Sequence, residues 1–303
     1  MELSLAPRLS GIRIKTLLSR ELGMSESLIK SLKNHENAVL LNGAPIFITE
    51  RAQAGDLLRL TIPDEEACTV LGSEGELKIA YEDEDVLVVN KPAPLPCHPD
   101  AGHKSETLSN YLVRYYERLG QRFIPRIITR LDSGTSGLVL LAKNPLAACV
   151  LGTAAKGGGL KKEYLAVALG APPCEKGEIC APLRRSADSA IKREVCQSGQ
   201  GQRAKTLYEL ISSAGGLSLL RVFPETGRTH QIRVHMAALG CPLAGDFLYG
   251  GENEGLISRP ALHMAALGFE HPITKAPIFL RAAPPEDMKA IFPTTNEFTF
   301  EYK

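Results

Sequence analysis

From Pro63 to Gly75 the sequence turns polar, with the runs DEEA and GSEG, and the patterns on its two sides differ. Before it, apolar residues recur at helical spacing: Ile14, Leu17, Leu18 and Leu22, then Leu28, Ile29 and Leu32. That spacing predicts one or two helices over about Ile12 to Leu32, divided at Gly23, with Ser25 placed to cap the second. Short β-type runs follow: AVLLNG, APIFI and DLLRLTI. Asn42-Gly43 signals a tight turn between the first two, because both residues tolerate the positive φ such a turn needs. Residues 1–63 are expected to form a small helix-helix-hairpin module, 64–76 a linker, and 77–303 a larger domain.

Beyond the linker, LKIAYED and VLVVNKP read as a strand pair joined by an acidic turn. A helix is expected from Thr107 to Leu119, then the strand GLVLLAK, then a helix opening near Asn144-Pro145. KKEYLAVALG and LSLLRVFP read as further strands, and a helix runs from near Gln231 to Gly240. The remainder reads as short strands and turns. This is a mixed α+β pattern without an internal repeat, and 303 residues suffice for two separate cores.

Other broad classes fall away. Seven cysteines, an odd number with no C-x-x-C, form neither a disulfide framework nor a zinc pattern, so reduced thiols are expected. The first residues carry no apolar signal core, and no run of 18 apolar residues occurs, so a soluble cytoplasmic protein is expected. A net charge of +1 neither favours nor excludes nucleic acid, since phosphate binding needs a local patch rather than a basic total.

Three stretches could carry chemistry. In RIITRLDSGTSGLVLLAK, Asp132 sits between arginines (Arg126, Arg130) and a Gly-Thr-Ser-Gly turn that leads into an apolar strand. A carboxylate so anchored can serve as nucleophile or base, and neighbouring arginines favour its charged form. Taken alone, a loop aspartate is more often a turn cap with a structural ion pair. In ETGRTHQIRVH, Arg228 and Arg233 could serve a phosphate and a carboxylate separately at the start of a helix. His230 and His235 are five apart, which misses the spacing of a helical metal pair. In KKEYL, Tyr164 could stack on a base, or simply be a half-buried strand tyrosine.

Basic residues also cluster at Lys156/Lys161/Lys162, Arg184/Arg185, Lys192/Arg193 and Arg203/Lys205. Four clusters between residues 156 and 205 make a local positive surface plausible despite the neutral total. Gly157-Gly158-Gly159 is no phosphate loop of the Walker type, because no Gly-Lys-Ser/Thr follows, and reads as flexible.

Together these stretches resemble the RluA-type pseudouridine synthases. That family carries His-Arg-Leu-Asp-x-x-Thr-Ser-Gly-Leu-Leu, and this chain has Thr129-Arg130-Leu131-Asp132-Ser133-Gly134-Thr135-Ser136-Gly137-Leu138. The family's Lys-x-Tyr strand matches Lys162 to Tyr164, and its Gly-Arg-Thr-His-Gln-Ile-Arg-Val-His matches Gly227 to His235. Glu82-Asp83, Asn90-Lys91-Pro92, His98-Pro99, Leu262-His263 and His271-Pro272 complete the series in order, over about residues 77 to 285. The module at 1–63 resembles an S4 RNA-binding domain through its Leu-Asn-Gly turn and Ala54-Gly55-Asp56-Leu57-Leu58, with Lys30, Lys33 and Asn34 where the S4 pattern is usually arginine-rich.

The resemblance implies a mixed, mainly antiparallel catalytic sheet and isomerisation of uridine to pseudouridine in RNA. Asp132 would be the nucleophile, acting on the sugar or as a base, with Arg233 paired to it. Tyr164 would stack on the flipped base and assist proton removal at C5. Leu262 would pack on the base, Arg130 would fill the gap left in the RNA stack, and Arg228 would contact phosphate or base edge. No metal or organic cofactor is required, because the reaction is redox-neutral. The partner would be RNA, with large-subunit ribosomal RNA favoured through the S4-like module and transfer RNA open, and the protein would act as a monomer. Thr129 in place of the customary His, and Ser133-Gly134 in place of a charged pair, bear on target choice. Two other readings stay open: a hydrolase using Asp132 as base, which would need a second carboxylate, and a non-catalytic RNA-binding or assembly factor with the same fold.

Overall fold

The computed structural model describes residues 2–62, 68–100, 102, 104–250 and 255–291. Near the N-terminus the two expected helices are α1 (Ile14–Arg20) and α2 (Glu26–Leu32). The Ser25 hydroxyl accepts from Leu28 N at 3.2 Å, which satisfies one of the free donors at the start of α2. Four short strands, β1 (Glu2–Ser4), β2 (Val39–Leu41), β3 (Ala44–Pro45) and β4 (Leu57–Leu60), form an antiparallel sheet in the order β1-β4-β2-β3. Asn42 and Gly43 turn β2 into β3 with φ of 51° and 83°. The Asn42 amide accepts from Leu57 N and donates to Asp56, which ties the hairpin to β4. The sequence gives no sign of β1, because three residues carry no periodicity.

The larger part runs β5 (Ile79–Glu82), β6 (Val86–Lys91), α3 (Leu108–Arg118), β7 (Arg126–Ile127), β8 (Ser136–Ala142), α4 (Pro145–Lys156) and β9 (Lys161–Leu169). It continues through β10 (Lys176–Cys180), β11 (Leu183–Arg185), β12 (Arg193–Val195), β13 (Lys205–Ala214), β14 (Leu217–Pro224) and α5 (Gln231–Ala238), and ends in β15 (Leu262–Glu270), β16 (Pro277–Arg281) and α6 (Glu286–Ile291). The ten-stranded sheet has the order β10-β13-β14-β9-β15-β8-β6-β5, with β16 added to β15 and β7 to β8. β11 and β12 form a separate ribbon.

Within this sheet the pairings are antiparallel except for β15 with β8, where His263 lies opposite Ser136 and Met264 opposite Gly137. Gly137 has φ of 115°, and a Cβ there would collide with the Met264 backbone. Only glycine fits this seam. Side chains of β9 alternate between two cores. Tyr164, Ala166 and Ala168 join Leu112 and Tyr116 of α3, Leu151 of α4 and Met236 of α5. Leu165 and Val167 face the other way, against Met288 and Ile291 of α6. The segment after Gly240 departs from expectation: β15 is a nine-residue central strand, buried on both faces, so no polar alternation betrays it.

The two parts pack directly. Leu146 of α4 belongs to the core of the N-terminal module. The Cys149 sulfur accepts from Ser25 N at 3.0 Å and donates to Gly23 O at 3.4 Å. The second half of the expected linker is held as well, since Asn110 of α3 bonds Leu71 O and Ser73 N, and Glu74 pairs with Arg114 and Arg118. Motif elements far apart in sequence also meet. His271 accepts from Ile273 N and Thr274 N on Nδ1, so the ring proton sits on Nε2 and is donated to Asp83 at 3.0 Å. Asp83 also caps the β5–β6 turn through Asp85 N and Val86 N. The neighbouring Asp83, Asp85 and His271 are thus a structural clasp.

Candidate active site

Asp132 lies in the turn between β7 and β8, at the end of β8 that runs beside β15. Its backbone is fixed carbonyl by carbonyl. Leu131 O accepts from Cys97 Sγ, Asp132 O from Thr135 N, Ser133 O from Leu95 N and Lys91 Nζ, and Gly134 O from Arg259 Nη1. Lys91 is fully buried and also donates to Pro92 O and Leu95 O at 2.9 and 2.7 Å. Burial lowers its pKa to about 8, against the pull of Cys97 and Asp132. Arg259 grips Asp287 of α6 with two bonds of 2.7 Å. A Cβ on Gly134 would lie 2.9 Å from Pro260 Cδ, so the turn presses on the chain leading into β15. Preorganisation of this kind is what a reacting carboxylate requires.

The carboxylate faces Arg233 of α5, whose Nη1 stands 3.3 Å from Oδ2. The rest of that guanidinium is bound bidentately by the fully buried Asp246, at 2.7 and 2.8 Å, and lies 5.1 Å over the Tyr249 ring. Arg233 therefore cannot swing away from Asp132 without breaking a buried fork. His230 adds a second neighbour, with Nε2 3.9 Å from Asp132. Tyr249 accepts from Arg193 N and bonds His230 Nδ1 at 2.8 Å. With that hydroxyl proton on Nδ1, the ring's own proton sits on Nε2, facing the carboxylate. Burial pulls the His230 pKa down, opposed by Asp132, and keeps the ring neutral at neutral pH. His230 has φ of 57°, a left-handed conformation that costs about 1–3 kcal/mol and clusters at functional sites.

Tyr164 is buried on β9, opposite Met264 of β15. Burial, and then the charge of Asp132, hold its phenol protonated far above the ordinary range. Leu262 lies two positions from Met264 on the same face, diagonal to Tyr164. The structure thus joins Asp132 to Arg233 and sets Tyr164 and Leu262 side by side, while Arg130 and Arg228 stay exposed at the rim. Thr129 turns away: its hydroxyl accepts from Leu140 N and pins the start of the turn to β8. Of the two arginines expected to flank Asp132, Arg126 lies on β7 and donates to Lys143 O; the guanidinium on the carboxylate is that of Arg233. His235 is buried between Thr206 and Ala181 O, so the two histidines of the motif point to different partners.

Sequence reasoning missed Asp246, Arg259 and the supporting role of His230, and it noted Lys91 only as part of a motif. Each acts through tertiary contact and resembles an ordinary polar residue along the chain. The basic clusters, by contrast, do converge. Lys156, Lys161, Lys162, Arg203, Lys205 and Arg228 line a cavity of about 660 Å³, and Arg228 also borders a smaller one of about 360 Å³ with Arg184, Arg185 and Arg193. Asp132 lines neither.

Comparison with known proteins gives one consistent result. The family profile described as RNA pseudouridylate synthase matches residues 85–238. The chain is 38% identical over 277 residues to the Bacillus subtilis protein named uncharacterized RNA pseudouridine synthase YjbO, spanning 91% of this chain and 97% of that one. It is 34% identical over 301 residues to ribosomal large subunit pseudouridine synthase D of Zymomonas mobilis, spanning 95% and 90%. The solved structure of human RNA pseudouridylate synthase domain containing 1 superposes with a TM-score of 0.59 at 26% identity, over 73% of this chain and 89% of that chain.

Proposed function

The chain belongs to the RNA pseudouridylate synthase family and is an RNA pseudouridine synthase, and from that premise we propose that Asp132 is its nucleophile and that its substrate is a uridine of large-subunit ribosomal RNA. The observation that carries the first assignment is the 3.3 Å contact between Asp132 and an arginine that is itself locked by buried Asp246. The second leans on the printed name of the Zymomonas mobilis relative and on the S4-like pattern of residues 1–63.

The target uridine must leave the RNA stack before its atoms can be reached. The C1′–N1 bond then breaks, the uracil turns, and a C1′–C5 bond forms. N1 gains a proton and C5 loses one, so the product is an isomer. Asp132 attacks the sugar or draws a proton from it, and the Arg233 guanidinium fixes the direction of its lone pairs. Tyr164 and Leu262 offer a flat apolar face to the free uracil. Burial keeps the Tyr164 phenol protonated, which suits stacking better than service as a resting base. Arg130 fills the vacated stack, and Arg228 holds a phosphate or base edge. The same reading has the protein act as a monomer in the cytoplasm.

Replacing Asp132 by Asn tests the nucleophile. Tritium release from 5-tritiated uridine RNA should fall by on the order of 10³-fold or more, with RNA affinity retained. A parental rate would end the assignment. Tyr164→Ala should cost far more than Tyr164→Phe if stacking is its role; a harmless Ala rules stacking out. Mapping pseudouridine in ribosomal and transfer RNA, with and without the protein, tests the target: a site lost from transfer RNA alone moves it there. For the N-terminal module, Lys30→Glu with Lys33→Glu should weaken RNA binding and flatten its salt dependence. These exposed changes are preferable to deleting residues 1–63, which would uncover Leu146.

A further inference from the structure

A cavity of about 660 Å³ close to the Asp132 site has a lining that excludes Asp132 and is dominated by cations. Six cationic side chains border it against two carboxylates, Glu163 and Glu225, in a chain whose net charge is +1. Lys205 is engaged with Glu178 and Glu225. Among the described residues no carboxylate lies within ion-pair reach of Lys156, Lys161, Lys162, Arg203 or Arg228. Unpaired cations gathered in a concavity raise its potential and draw in anions.

The geometry favours a nucleotide over a bare ion. Lys162 is half-buried, and its Nζ stands 3.9 Å from where a Cβ on Gly227 would lie, so it reaches across the cavity toward the loop that carries Arg228. Burial lowers its pKa, the mark of a cation held partly out of water. Phe223 and Phe279 form part of the wall, and Phe279 keeps 49% of its surface exposed on β16, with the Arg281 guanidinium 5.7 Å from its ring centroid. An aromatic face beside unpaired cations suits a base and its phosphate. Gly157 and Gly158 form the rim where α4 ends. A Cβ on Gly158 would meet nothing within 4 Å, so the mouth is left free of side chains there. The volume, about 660 Å³, is within the range of small-ligand sites.

We propose that this cavity is a nucleotide subsite, taking a ribonucleoside phosphate with its phosphate at Lys162 and Arg228 and its base against Phe279. Its position fits an unpaired nucleotide flanking the target: Lys162 is two residues from Tyr164 on β9, and Arg228 is two residues from His230. The proposal rests on the reading of this chain as acting on RNA. Its chemistry would equally admit a free mononucleotide.

The test uses the full chain and measures binding without catalysis, with two probes: deca-uridylate and 5′-UMP. Lys162→Gln should weaken deca-uridylate binding and reduce the salt slope by about 0.7, as expected for one lost contact to a single strand. Phe279→Ala should weaken it about fivefold or more and leave the slope unchanged, because stacking releases no counterions. Weakening of 5′-UMP alone would keep the subsite and assign it to free nucleotide. Parental affinity for both probes in both variants, with unaltered circular dichroism, would overturn the proposal, as would a parent protein that binds neither. Tritium release is read separately on the same proteins, so failure of the Asp132 assignment and failure of the subsite give different results.

Discussion

The Asp132 turn and the basic cavity are neighbours built in opposite ways. In the turn, four successive carbonyls are bound, two buried cations grip the loop, and the Asp132 carboxylate shares an arginine with a buried aspartate. In the cavity, five of six cations have no acidic partner among the described residues. Chemistry on a sugar carbon needs a group whose position is settled before the substrate arrives. Holding a flexible polyanion needs charges whose partners arrive with it. A change in the turn should therefore register in stability and turnover, and a change at the rim in affinity and salt dependence.

The sharpest way to break that contrast is Asp246→Asn. The substitution removes the buried carboxylate that holds two guanidinium nitrogens and leaves Arg233 only its 3.3 Å contact with the partly exposed Asp132, so the cost should approach that of a broken buried pair, about 3–5 kcal/mol. Urea unfolding should show a loss of that order, with tritium release falling as Arg233 loses its fixed direction. A loss below about 1 kcal/mol would mean the turn is not organised through this fork.

Acid should find the same region. His263 sits at the parallel seam between Ser136 and Ala282 O, and burial lowers its pKa to about 4 from the usual 6.5. The unfolded chain binds the proton more readily, so this contribution is complete above pH 6.5 and is lost as pH falls toward 4. At pH 4.5 the loss should reach roughly 2–3 kcal/mol. Gln at 263 can keep both partners without a charge, so His263→Gln should be less acid-sensitive than the parent by that amount. Equal slopes for the two proteins between pH 7 and 4.5 would remove His263 from the account.

Lys91→Met is a milder probe of the turn. It leaves the carbonyls of Pro92 and Leu95 without their buried donor, and it also removes a costly buried charge. These terms oppose each other, so the net loss should be about 1–2 kcal/mol. Turnover should drop about tenfold with KM nearly constant, the pattern of a misplaced reacting group rather than a lost binding contact. A raised KM at constant kcat would place Lys91 in substrate binding instead.

How far the sequence foretold this contrast depends on which side of it a residue stands. Asp132, Tyr164 and Arg233 stood out as candidates because each lies in a contiguous run whose order is distinctive. The supports were not. Asp246 is 13 residues from the arginine it holds, and Arg259 is 125 from the carbonyl it binds, with no local pattern announcing either contact. β15 escaped notice for a related reason, since a strand covered on both faces shows no alternation. The basic clusters were visible as charges, but the convergence of Lys156, Lys161 and Lys162 with Arg203 and Lys205 on one cavity is a product of the end of α4, β9, β13 and the loop before α5 meeting in space. Helices and hairpin in the first 63 residues were read well because spacing and caps are local signals.

The smallest effect is expected at the rim, and it tests the other half of the comparison. Arg130 is exposed on the turn itself, next but one to Asp132, so its place in the sequence alone would group it with the preorganised residues. If its work is done only when RNA arrives, Arg130→Ala should leave unfolding within about 0.5 kcal/mol of the parent. RNA affinity should fall several-fold. If the guanidinium enters the RNA stack, as proposed, the loss should persist at high salt, because stacking is not screened. A loss that vanishes with added salt would make Arg130 a phosphate contact and leave the vacated stack to another side chain. A clear loss of stability would show that the turn's fixed framework extends to its exposed edge, and the boundary between the two regions would have to be drawn on the far side of Arg130.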